Sequence, residues 1–159
     1  MKRRFLPLFL AAVLLTAALS QTGSAAGMEL SPTRSYRGQF TDVRPTDWYY
    51  DNVAALYELG LTDGQGSSDQ FVPDAAITLA EAVTMAARLR SLYVYEDSEK
   101  GPAAYPGGSW YDPYVAYAKA AGILGDEFDG QYLQPASRAQ VAHILANAQI
   151  GRASCRERV

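Results

Sequence analysis

Phe40-Thr41-Asp42-Val43, Trp48-Tyr49, Leu59-Gly60-Leu61, Phe71-Val72-Pro73-Asp74 and Ile77-Thr78-Leu79-Ala80-Glu81 follow one another within 42 residues of a 159-residue chain. Most of these pieces occur twice. Trp48-Tyr49, Val53-Ala54 and Gly60-Leu61 return 62 positions later as Trp110-Tyr111, Val115-Ala116 and Gly122-Ile123. Phe71-Val72 returns as Tyr132-Leu133, and Thr78-Leu79-Ala80-Glu81 as Ser137-Arg138-Ala139-Gln140. The offset shortens from 62 to 61 to 59 only where Gly, Ser and Asp residues mark a loop, and loops tolerate insertion and deletion. A repeat with drifting loops is a duplicated structural unit.

Each unit reads as helix, loop, helix. In the first, Thr46 or Asp47 can cap a helix that places Tyr49, Val53, Leu56 and Tyr57 on one face. Gly60 suits the left-handed residue that ends it. Phe71-Val72 reads as a short extended piece in the following loop. Thr78 and Glu81 have the spacing of a capping box, in which hydroxyl and carboxylate each satisfy an orphan backbone N–H. Asp112-Pro113, Gly122 and the pair Ser137 and Gln140 repeat these signals. The helices expected around 47–59 and from 78 should therefore overlay those around 112–121 and from 137. The charged, then Gly- and Pro-rich stretch 93–108 reads as a linker.

The two ends differ from the body. Lys2-Arg3-Arg4, the apolar run Phe5 to Leu19 and the small residues Ser24-Ala25-Ala26 form a secretory leader, with cleavage after Ala26 or, as the alternative, after Ser20. The run is shorter than the roughly 20 residues a membrane span needs, so no stable span remains after cleavage. Residues 150–159, which carry three arginines and the lone Cys155, resemble a translated sequencing adapter. They are set aside, and the coding sequence is expected to continue past residue 149.

Without leader and tail the net charge moves from −3 to −8, from 8 basic and 16 acidic residues. Such a chain is a poor nucleic-acid ligand, because phosphate contacts need clustered Lys and Arg. Enzymatic readings fail on inventory: the single His143 has no nucleophile motif around it. Asp126, Glu127 and Asp129 lack the alternating ligands of a calcium loop, so neither metal nor cofactor is called for. Any catalytic domain would lie beyond residue 149.

The ordered motifs of the first unit resemble the S-layer homology domain, and Trp110 through Ala148 resembles it more loosely, with Ala103-Ala104-Tyr105 where an opening Phe-x-Asp-Val belongs. The resemblance implies a mainly α fold of tandem helix-loop-helix repeats with short extended segments in the loops, part of an incomplete pseudo-threefold assembly. It divides the chain into a leader (1–26), a lead-in (27–39), repeat 1 (40–92), a linker (93–108), repeat 2 (109–149) and the tail (150–159). It implies a secreted, non-catalytic module at the cell surface that anchors to the cell wall or S-layer. The partner is cell-wall polysaccharide, pyruvylated in many Gram-positive bacteria, or peptidoglycan. The alternatives are a repeat that packs against a partner chain, and an anchor for an enzyme whose catalytic domain lies elsewhere.

The residues that the resemblance marks for ligand binding are Arg138, Trp110, Trp48, Asp42 and Gln140. A guanidinium fork suits a carboxylate, and Arg138 follows Ser137 as the family's arginine does; Leu79 stands at that place in the first unit. Trp48 and Trp110 read equally well as helix-start core anchors, and Gln140 as a helix cap.

Overall fold

The computed structural model describes residues 30–66 and 68–148; the leader and the tail lie outside them. Four α-helices occur there: α1 (Tyr50–Glu58), α2 (Leu79–Tyr95), α3 (Asp112–Ala120) and α4 (Arg138–Asn147). No sheet forms among the described residues; Thr78 and Pro135 make an isolated antiparallel bridge. No helix there is long and apolar enough to cross a membrane.

The long helix α2 is the centre of the molecule, with α3 and α4 both packed on it. Its sequence explains why. Ala80, Ala82, Ala86 and Ala87 are fully buried, and small side chains let two neighbouring helices approach one axis closely. Leu79 and Val83 fill the remaining space, and Ile123, Phe128, Tyr132 and Ile144 of the second half close over them. Helix α1 has its own aromatic core instead: Phe40, Val43 and Val53, with Tyr36, Tyr57 and Phe71 around them. Tyr36 meets Phe40, Tyr50 and Tyr57 at ring distances of 5.6–5.8 Å, within the range where aromatic pairs attract.

The same local chemistry appears in both halves. Gly60 and Gly122 take φ values of 69° and 70°. Each lets the next amide fold back on the helix: Leu61 N–H donates to Leu56 O at 2.9 Å, and Ile123 N–H to Ala118 O at 2.8 Å. This is the 6→1 bond of a Schellman ending. Thr78 and Ser137 both close capping boxes, with Glu81 and Gln140 as reciprocal partners.

The two halves join at the start of α2. Leu79 N–H donates to Gln134 O, Ala80 N–H to Tyr132 O, and Ala136 N–H to Ile77 O. With the Thr78 hydroxyl on Glu81 N–H, the orphan amides of the first turn of α2 are satisfied. The corresponding first turn of α4 has no such cover among the described residues. Ala139, Ala142 and Ala146 are exposed where Ala80, Val83 and Ala87 are buried.

Two expectations change. Helix α1 starts at Tyr50, with Tyr49 as N-cap and no side-chain cap. Asp47 is not the cap because its carboxylate accepts from Arg44 N–H in the preceding turn. Phe71-Val72 is not extended: Val72 has φ 54°. The stretch 93–108, expected as a linker, carries helical structure at its start and middle. Helix α2 runs on to Tyr95, Glu96 ends it at φ 58°, and a 3₁₀ turn at Pro102–Ala104 follows. The Ser91 hydroxyl ties this segment down, donating to Asp97 O and accepting from Gly101 N–H.

Candidate functional site

A groove of about 720 Å³ lies between the loop that precedes α2, the Glu81–Arg88 side of α2 and the start of α3. Its volume is in the range of small-molecule sites.

The loop wall is built by Asp42. Its two carboxylate oxygens accept from Phe71 N–H at 2.8 Å and Val72 N–H at 2.7 Å. The loop is further tied by Thr41 N–H to Asp69 O and by Gln65 N–H to Gln70 O. Together these bonds hold Val72 in a left-handed conformation that is costly for a β-branched residue. Burial works to raise the Asp42 pKa, but the two amides outweigh it and hold the carboxyl below its ordinary value.

The floor is a helical stripe: Glu81, Thr84, Met85 and Arg88, spaced as neighbours on one face of α2. The Thr84 hydroxyl is buried and has no hydrogen-bond partner among the described residues. The Gln65 amide donates to Glu81 Oε1 at 3.3 Å. The far wall is Trp110 and Tyr114, contributed by the second half of the chain.

Arg88 sits at the back, its side chain only 13% exposed. Its guanidinium lies 2.9 Å from Asp63 and 2.6 Å from Glu99, and it donates to the Tyr114 hydroxyl at 3.2 Å. The Tyr114 hydroxyl in turn donates to Glu99 at 2.7 Å. Burial opposes the charge on Arg88, but Tyr114, Glu99 and Asp63 overcome it and raise the pKa. Asp63 also takes Arg34 at 2.7 Å. Burial pushes its carboxyl up, and the two arginines bring it below its ordinary value. This network joins the loop, α2, the connecting segment and α3, and so fixes the groove's width.

Of the five residues singled out in the sequence, Trp110 lines the groove. It is 56% exposed and its ring leans edge-on against Tyr111. Trp48 is 87% exposed and rests on Tyr49, away from the groove lining. Neither tryptophan is a core anchor. Asp42 shapes the loop from beneath. Gln140 closes its capping box, with Oε1 accepting from Ser137 N–H at 2.8 Å. Arg138 is exposed at the first position of α4 and has no ion-pair or hydrogen-bond partner among the described residues. Leu79, at the matching place, is 1% exposed in the core.

Sequence reading missed Arg88, Thr84, Met85 and Tyr114 as lining residues. A polar stripe 81–84–88 on an alanine-rich helix was the available signal. The acidic turn 126–129 is organised by a side chain: Lys119 Nζ lies 2.7 Å from both Asp126 and Asp129. His143 is exposed and stands 3.7 Å from Glu127.

Residues 39–83 match the S-layer homology domain. An S-layer protein of Bacillus thuringiensis subsp. finitimus is 30% identical over 105 residues, 66% of this chain and 13% of that protein. The exoglucanase XynX of Acetivibrio thermocellus and an amylopullulanase of Thermoanaerobacterium thermosulfurigenes are each 28% identical over 118 residues. That is 70% of this chain but 11% and 6% of those proteins. The chain thus spans a small part of the relatives it matches, and no solved structure matches it significantly. The family likeness rests on residues 39–83, which match the S-layer homology domain.

Proposed function

We propose that this chain is a non-catalytic module that holds a secreted bacterial protein to the cell wall by non-covalent binding of wall polysaccharide. The observation that carries the reading is the groove itself: an open cleft walled by a half-exposed tryptophan and a tyrosine, with the polar side chains of Thr62 and Gln65 on its loop side. A sugar ring has apolar faces and a polar rim, and it pairs best with an aromatic face beside hydrogen-bonding side chains. Arg138 adds a guanidinium on the second unit that has no partner among the described residues and is suited to an acidic group on the polymer.

S-layer homology domains serve as wall anchors in S-layer proteins and in enzymes, and the site of action is the cell surface. The relatives named as an exoglucanase and an amylopullulanase favour a second version of the same role, in which the module tethers an enzyme encoded elsewhere in the full-length protein. A pull-down with purified sacculi, intact and stripped of their polysaccharide, tests the reading. Retention by intact sacculi alone is expected. Equal retention by both would move the ligand to peptidoglycan, and retention by neither would remove the wall-binding role.

A further inference from the structure

The guanidinium that lines the groove is already paired before any ligand arrives. The cation that lines it is Arg88, and its guanidinium faces Asp63 at 2.9 Å and Glu99 at 2.6 Å. The second oxygen of Asp63 faces Arg34. Two arginines thus balance two carboxylates. Glu81 then adds a carboxylate with no cation: its oxygens accept from Thr78 N–H, the Thr78 hydroxyl and the Gln65 amide. The position beside the cap cannot supply a cation either, because Leu79 is buried in the core.

The uncommitted groups are uncharged. They centre on the half-exposed ring of Trp110; Arg88 already lies over the Tyr114 ring, 5.2 Å from its centroid, and the Thr84 hydroxyl is buried out of reach.

Building on the wall-glycan reading above, we propose that this groove takes an uncharged stretch of the polysaccharide and discriminates against sugars that carry a carboxylate. A carboxylate brought into the groove loses water, meets no free guanidinium, and approaches Glu81; unpaired charges are disfavoured in such a place. A neutral ring meets the exposed Trp110 face and leaves no charge unpaired. Any acidic substituent of the polymer then falls to Arg138, outside the groove.

The test is calorimetric titration of the Arg138→Ala chain, which removes the exposed guanidinium. The probes are a matched pair of wall-polysaccharide fragments, one bearing ketal-linked pyruvate and one freed of it by mild acid. The pyruvate-free fragment is expected to bind roughly tenfold tighter, the effect of one unfavourable charge contact. Glu81→Gln should narrow that ratio, and the fold should tolerate it because Gln140 fills the same capping role in the second unit. Equal or tighter binding of the pyruvylated fragment overturns the inference and leaves the wall-glycan reading standing. Binding of neither fragment overturns the wall-glycan reading of the groove, and this inference with it.

Discussion

Asp42 and Leu79 show how a single position changes meaning once its surroundings are known. The family resemblance marks Asp42 for ligand binding, yet both its oxygens are engaged by Phe71 and Val72 amides. Asp42→Asn keeps one acceptor and loses the charge. It should cost about 1–2 kcal/mol at neutral pH by chemical denaturation, since hydrogen bonds to a charged acceptor are the stronger kind but this one is partly solvated. The carboxyl's folded pKa is depressed, so its contribution is complete above the unfolded value of about 3.9 and is lost as pH falls through the folded value. The stability gap between wild type and Asp42→Asn should therefore close in acid. A gap that persists unchanged below that range would contradict the clamp. Leu79 invites the idea that an arginine there would rebuild a carboxylate site. In the structure that side chain is enclosed by the core, so Leu79→Arg should destabilise by more than about 3 kcal/mol through an unpaired buried charge. A Leu79→Arg protein as stable as wild type would show that the start of α2 can open toward solvent.

At the scale of elements, what is local in chemistry was legible in the sequence. Both capping boxes and both helix-ending glycines depend on residues within a few positions of each other, and all are present. The start of α1 was not legible: Thr46 and Asp47 have the right chemistry, but the turn at 44–47 engages Asp47 first. Val72 was misread for a related reason, because its backbone is set by an aspartate 30 residues away. The caps also differ in setting. Thr78 is half-buried at the junction of the two units, while Ser137 is exposed. Thr78→Ala should cost about 1–2 kcal/mol and Ser137→Ala about 0.5 kcal/mol, compared by urea denaturation. The reverse order would mean that the junction adds nothing to the cap.

Across the whole molecule, α2 is covered on most sides and α4 on few. Amides of α2 should consequently exchange with solvent most slowly, and those of α4 faster, because local opening follows the apolar contact that must be broken. Comparable protection in the two helices, by hydrogen exchange on the isolated chain, would show that something covers α4 in solution. The groove belongs to this scale too, and it is where sequence reading gave least. Trp110 was singled out, but the partners that make it a wall come from elsewhere: Asp63 from the loop, Arg88 from α2, Glu99 from the connecting segment. No spacing rule brings these three together; the packing of α3 on α2 does. The proposed hold on the wall polymer depends on the aromatic wall of this assembled groove. Sacculus-binding isotherms for wild type and Trp110→Ala at matched salt test it most directly. The exposed ring carries little of the core, so the variant should fold normally and bind at least about tenfold more weakly, as expected when an aromatic anchor is lost. Equal affinities of the two proteins for intact sacculi would contradict the claim.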